Sequence, residues 1–213
     1  MSYKFLEIAS TPSVRAAQAA NGSLEMWQHL EASNRAFDRF TDNERAFLAG
    51  RDSFYLASVS EAGWPYVQHR GGPPGFLKVL DDRTLAFADF RGNRQYITVG
   101  NIAADDRVAM ILVDYPSRTR LKLLGHMTAR GLADDPALAD QLAVPGYKAR
   151  PERALIVRLE TFDWNCPQHI TPRFTRDQID AAVAPLYERV AALEAENAAL
   201  RAAATSTPVS SAP

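Results

Sequence analysis

Apolar and polar residues follow two different rhythms along this chain. Over residues 1–50 the spacing reads as helical. Thr11-Pro12 predicts a capped helix start, because proline at the first helical position loses no hydrogen bond, and Asn21-Gly22 predicts its stop. Ser23 predicts the cap of a second helix running through Phe40. Thr41-Asp42-Asn43-Glu44 has the form of a capping box, and Gly50 ends that helix. From Asp52 the rhythm changes to alternation. "SFYLASVS" and "PYVQH" read as strands flanking the turn "EAGW". "FLKVL" and "TLAFADF" read as a hairpin around Asp81-Asp82, and "NRQYITVGNIAADD" as a helical crossover. "RVAMILVDY" reads as a strand buried on both faces, "SRTRLKLLGHMTARG" as a long alternating strand and "ERALIVRLETFDW" as the last. Many short strands with one crossover helix predict a mainly β fold, a small closed barrel with added helices.

The C-terminal part has a third rhythm. Thr175-Arg176-Asp177-Gln178 is another capping box. Leu186, Val190, Leu193, Asn197 and Leu200 then keep the spacing of a coiled-coil seam. Pro185 predicts a kink or restart, which limits the seam to Leu186 onward. The expected organisation is an N-terminal helical segment (1–50), a barrel (51–173), a C-terminal helix able to form a coiled coil (174–204) and a disordered tail (205–213).

Composition narrows the function. The 213 residues carry a net charge of −1, with no basic excess to suggest nucleic acid. The single cysteine, Cys166, excludes an internal disulfide and a multi-cysteine zinc site; it reads as inert, and no metal is expected. No apolar run is long enough to span a bilayer and no signal peptide is evident, so a cytoplasmic protein is expected. Dinucleotide, phosphate-loop, zinc-protease and nucleophile-elbow motifs are absent.

What remains is a set of basic residues at strand ends. Alternation puts Tyr66, Gln68 and Arg70 on one face of their strand, and Val67 and His69 on the other. Arg118, Arg120 and Lys122 likewise share a face opposite Leu121 and Leu123. Arg91 and Arg94 flank Gly92-Asn93 just before the crossover helix. Free amides, the helix dipole and guanidinium forks together suit an anion there. Each piece also has a plain structural reading: a solvated strand face, an ordinary turn, a long loop from Gly71 to Gly75.

"DSFYLASVSEAGWPYVQHRGG", "TLAFADFRGNRQYITVGNIAADDRVAMILVDY" and "LKLLGHMTARG" carry a resemblance. From about Phe47 to Arg173 the chain resembles the pyridoxamine 5'-phosphate oxidase-like family, the FMN-binding split barrels. "FDWNCPQHITPRFT" resembles the bacterial branch of flavin-nucleotide-binding proteins. The resemblance implies a six-stranded split barrel that forms a homodimer, with FMN in the grooves between subunits. It implies that Gln68, His69 and Arg70 line the flavin ring and that Asn93, Arg94 and Arg91 hold its phosphate. Arg120 and Lys122 lie on a strand that faces the flavin in such proteins. Gly71 and Gly72 let the backbone approach the flat ring, and Pro73 and Pro74 stiffen the loop beyond it.

The true oxidases carry an Arg-x-His motif near the C-terminus that this chain lacks. It runs instead through Trp164, Gln168 and His169, which are candidates for substrate contact. The function expected is an FMN-dependent oxidoreductase acting on a small substrate, with NADH or NADPH as a candidate donor. No general acid is named; His69 and His169 are the histidines to test. The alternative is a protein that stores or senses flavin or haem without turnover, since relatives with this barrel bind haem or deazaflavin.

Overall fold

The computed structural model describes residues 3–33, 35–165 and 167–206. Cys166 and the predicted tail from residue 207 lie outside them; the helix before that tail takes in Thr205 and Ser206. The chain divides into two compact units, Met1–Ile170 and Thr171–Pro213.

In the first unit, helices α1 (Lys4–Ala9), α2 (Pro12–Ala20), α3 (Leu24–Glu31) and α4 (Asp42–Ala49) precede the strands. Strands β1 (Ser53–Val59), β2 (Pro65–Gly71), β3 (Lys78–Val79) and β4 (Thr84–Phe90) come next, then helix α5 (Ile97–Ala104). Strands β5 (Arg107–Asp114) and β6 (Thr119–Gly131), helix α6 (Pro136–Leu142) and strand β7 (Pro151–Asn165) complete it. The fold is mainly β with added helices. Among the described residues one antiparallel sheet runs in the order β2-β1-β5-β6-β7-β4-β3. It has seven strands rather than the expected six, because the two-residue β3 pairs with β4. Among the described residues no pairing joins the end strands β2 and β3, so the barrel is split there and not closed as alternation alone suggested.

The predicted second helix stops at Glu31 rather than reaching Phe40. Segment 35–41 instead runs against the sheet: the Phe162 amide donates to the Phe37 carbonyl (2.8 Å) and the Phe40 amide to the Asp82 carbonyl (2.7 Å). Phe37 and Phe40 place their rings 5.1 and 6.4 Å from Phe162, so aromatic burial outweighs the local helical spacing. The Thr41–Glu44 box forms as read: the Thr41 amide donates to Glu44 (2.9 Å). Glu44 is only 4% exposed and also accepts from the Trp164 indole (2.8 Å). Burial alone would push its carboxyl up, but hydrogen bonds from Thr41, Trp164 and Asn43 outweigh that and hold it below its ordinary value.

β5 alternates, with Val108, Met110 and Leu112 buried and Ala109 and Ile111 half-exposed, so it is not covered on both faces as predicted. The strand so covered is β4. Its Phe87 and Leu85 join the main core, while Ala86 and Ala88 pack against Leu138 and Leu142 of α6. Sequence reading missed α6, although Asp135-Pro136 repeats the signal of Thr11-Pro12; the Asp135 carboxylate accepts the Leu138 amide (3.0 Å).

In the second unit the helix α7 (Arg176–Ser206) begins at the predicted box. The Gln178 amide donates to the Thr175 hydroxyl (3.2 Å) and the Thr175 amide to the Gln178 side chain (2.9 Å). The helix continues through Pro185 without the predicted restart.

Candidate functional site

The edge strand β2 presents Tyr66, Gln68 and Arg70 half-buried and Val67 and His69 exposed, as alternation requires. The first three face the 91–96 loop and the start of α5, and together these enclose a cavity of about 250 Å³. Its lining includes Gln68, Arg70, Asp89, Asn93, Arg94, Tyr96, Thr98 and Glu152. The loop is tightly wound. Arg94 (φ 63°) and Tyr96 (φ 53°) are both left-handed, and the Asn93 side-chain carbonyl accepts the Gln95 amide (3.1 Å). Tyr96 stands at the N-cap of α5 and makes no side-chain cap, so no cap satisfies the first amides of that helix.

The site is a charge network. Asp89, 6% exposed, lies 2.6 Å from Arg70 and 3.5 Å from Arg153. Glu152 lies 3.3 Å from Arg153 and 3.7 Å from Arg91, and it accepts from the Tyr96 hydroxyl (3.3 Å). Arg94 donates to that hydroxyl (3.4 Å), which pushes its guanidinium up from the ordinary value. The Arg153 guanidinium stacks 4.7 Å above the Tyr96 ring. Among the described residues, Arg70, Arg91, Arg94 and Arg153 thus face two carboxylates, Asp89 and Glu152, and the surplus is positive. The Arg70 Nε is buried and has no hydrogen-bond partner among the described residues, a donor that an acceptor could satisfy. The Thr98 hydroxyl donates to the Gln68 carbonyl oxygen (2.9 Å), which leaves the Gln68 amide donors for a ligand. Asn101 of the same helix donates to Ser58 on β1 (3.0 Å) and ties α5 to the sheet.

Of the residues singled out in the sequence, this pocket gathers Gln68, Arg70, Asn93 and Arg94, with Arg91 beside it. His69, Arg120 and Lys122 lie elsewhere. The register His69–Tyr55–Ile111–Lys122 crosses the other face of the sheet. His69 meets the Tyr55 ring edge-on (5.5 Å), and Lys122 pairs with Asp163 (2.6 Å) over the Phe5 ring. Tyr55, Ala57, Val67, Ala109, Ile111 and Leu124 form an apolar shallow there beside Lys122. Arg118 belongs to the β5–β6 turn (φ 56°), not to the strand face. Trp164 is committed to Glu44 and to the Phe47 ring (4.9 Å), and Gln168 and His169 are exposed outside the pocket.

Gly71 and Gly72 do not line the pocket either. A Cβ on Gly72 would stand 2.7 Å from the Phe76 ring, so the missing side chain there makes room for the core. The Phe76 amide donates to the Pro73 carbonyl (3.0 Å) with Gly75 at φ 85°, the form of a type II turn with Pro74 at its first corner. That turn drives Phe76 under β1, stacked 5.9 Å from Phe54. Sequence reading missed Asp89, Tyr96, Thr98 and Glu152. Only Asp89 had a signal, as a lone carboxylate within the apolar "TLAFADF".

The family profile of pyridoxamine 5'-phosphate oxidase matches residues 40–160, more than half of the chain. The protein belongs to the pyridoxamine 5'-phosphate oxidase family. The matched span holds the whole pocket and the split sheet up to Glu160 of β7, and leaves out α1 to α3 and α7. Solved structures to which the chain is similar include HupZ of Group A Streptococcus, at 14% identity over 63% of this chain and 99% of that one, with a TM-score of 0.45. General stress protein 26 from Bacillus anthracis is 14% identical over 62% and 93%, with a TM-score of 0.43. A Clostridium acetobutylicum protein related to general stress protein 26 is 15% identical over 64% and 94%, with a TM-score of 0.42. No curated protein matches the sequence.

Proposed function

We propose that this family member binds FMN in the pocket between β2 and α5 and works as a cytoplasmic, homodimeric oxidoreductase on a small substrate. The observation that carries the reading is the convergence of the uncapped α5 start with Arg94, Arg70 and the Gln68 amide on one cavity. A phosphate suits the guanidinium and amide end, where charge-assisted hydrogen bonds are strong. The free donors of Gln68 and Arg70 suit the carbonyl and nitrogen edge of a flavin ring. When bound, the flavin supplies the redox chemistry, exchanging a hydride or electrons with the substrate. The chain's own part is to bind the phosphate, orient the ring and keep positive charge beside it. The exposed apolar face around Tyr55 and Val67 supports a second copy as partner, and from that copy His69, Arg120 and Lys122 reach a ligand.

The purified protein is expected to show a flavin spectrum that bleaches with NADH or NADPH under anaerobic conditions; a haem band in its place overturns the reading. Arg94→Ala is expected to weaken FMN binding about tenfold, the order of a lost charge-assisted hydrogen bond. Arg118→Ala, in the β5–β6 turn, is expected to leave it unchanged. Equal affinities by flavin fluorescence titration reject the phosphate assignment.

A further inference from the structure

The helix α7 does not break at Pro185, and this lengthens its apolar seam. Counted back from Leu186 and Val190, the same spacing reaches Val183 and Ile179. Forward, it passes Leu193 and Leu200 with one polar member, Asn197. The stripe therefore spans three heptads instead of two. Pro185 falls at the c position, on the outer side of such a helix. A supercoiled helix is convex on that side and its outer hydrogen bonds already lengthen, so the bond proline removes is one the curvature weakens. The seam lies open: Leu186 is 65%, Val190 51%, Leu193 44% and Leu200 63% exposed. In proteins most helical stability comes from packing an apolar face, so the open stripe calls for a partner.

We propose that the partner is a second copy of the same helix, running parallel and in register. The flanking charges select it. With Val190 and Asn197 at a, Arg189 and Glu196 take g positions and Glu194 and Arg201 take e positions. In a parallel pair each g residue meets the e residue five places on. Arg189 then faces Glu194 and Glu196 faces Arg201, each twice by symmetry, and no like-charged g–e pair occurs. Asn197 decides the direction. In parallel register it meets its own copy and the two amides satisfy each other. In the antiparallel register that matches the apolar layers it faces Leu186, and its amide is buried without a partner.

Disulfide trapping in the full chain tests this, with Cys166 replaced by serine. Leu186→Cys and Leu200→Cys are expected to form dimers under mild oxidation. Glu188→Cys, at the outward f position, is expected to stay reduced. Leu186 and Leu200 are exposed, so neither change opens a core. If the seam cysteines cross-link no better than Glu188→Cys, the stripe packs elsewhere and the proposal fails. If chains carrying Leu186→Cys cross-link to chains carrying Asn197→Cys in preference to themselves, the helices are antiparallel and the parallel pairing is wrong.

Discussion

Asp89 is the pocket carboxylate whose loss should cost most. Its side chain is 7% exposed and it holds Arg70 at 2.6 Å and Arg153 at 3.5 Å. Arg153 keeps Glu152 and the Tyr96 ring when Asp89 is removed. Arg70 keeps nothing comparable: its side chain is 15% exposed and its Nε already lacks a partner. Asp89→Ala therefore leaves a nearly buried guanidinium uncompensated, which costs about 3–5 kcal/mol in typical proteins. The cavity beside Arg70 admits water, which argues for the lower end, about 3 kcal/mol. For a chain of this size that lowers the melting temperature by roughly 6–12 °C. Replacing both partners, as Arg70→Met with Asp89→Leu, should cost less than the two single changes together, because no orphaned charge remains. Thermal unfolding of the four proteins, checked by urea titration, measures the coupling. If Asp89→Ala melts within about 2 °C of the parent, or the double variant loses the sum of the singles, the pair is not the buried, interdependent unit described here.

Two further outcomes follow from the packing. Gly72→Ala should destabilise the protein by roughly 1–3 kcal/mol, the usual cost of overpacking, because its methyl meets the Phe76 ring; an unchanged urea midpoint contradicts that contact. Glu44 has a folded-state pKa below its unfolded one, so its contribution is full above the ordinary carboxylate value and is lost as pH falls through the lowered one. Glu44→Gln should accordingly lose stability at neutral pH and show a shallower decline on acidification, and identical pH profiles for the two proteins refute the role.

Much of the fold was legible because its signals are local. Capping at Thr11, Thr41 and Thr175, and alternation in β1, β2 and β6, need only neighbours in sequence. The errors arose where distant contacts decide. Segment 35–41 has helical spacing, yet Phe37 and Phe40 gain more by packing on Phe162. At Gly72 the missing side chain makes room for Phe76, four residues beyond it, a contact that nothing local in the sequence announces. The loop around Arg94, which borders the pocket, was readable from its glycine and arginines next to a helix start. Glu152 was not, since nothing local in "ARPERALIV" tells that it will stand opposite Tyr96. Pro185 misled in the other direction: it suggested a restart, and the helix runs through it.

The order of the strands also sets how firmly each part of the pocket is held. β6 and β7 are central and pair from Arg120 to Gly131, with β5 and β4 bonded on their outer sides. Where β6 lies between β5 and β7, and β7 between β6 and β4, an amide is freed only by a larger opening than an edge strand needs. β2 is an edge bonded to β1 alone, and it supplies Tyr66, Gln68 and Arg70. Such a strand can detach in a small, low-energy opening that leaves the centre intact. The pocket wall thus rests in part on an edge strand, which opens at lower cost than the sheet centre. A ligand that bridges β2 to α5 closes that opening, and its affinity then depends on the local cost of ordering one edge as well as on the contacts it makes.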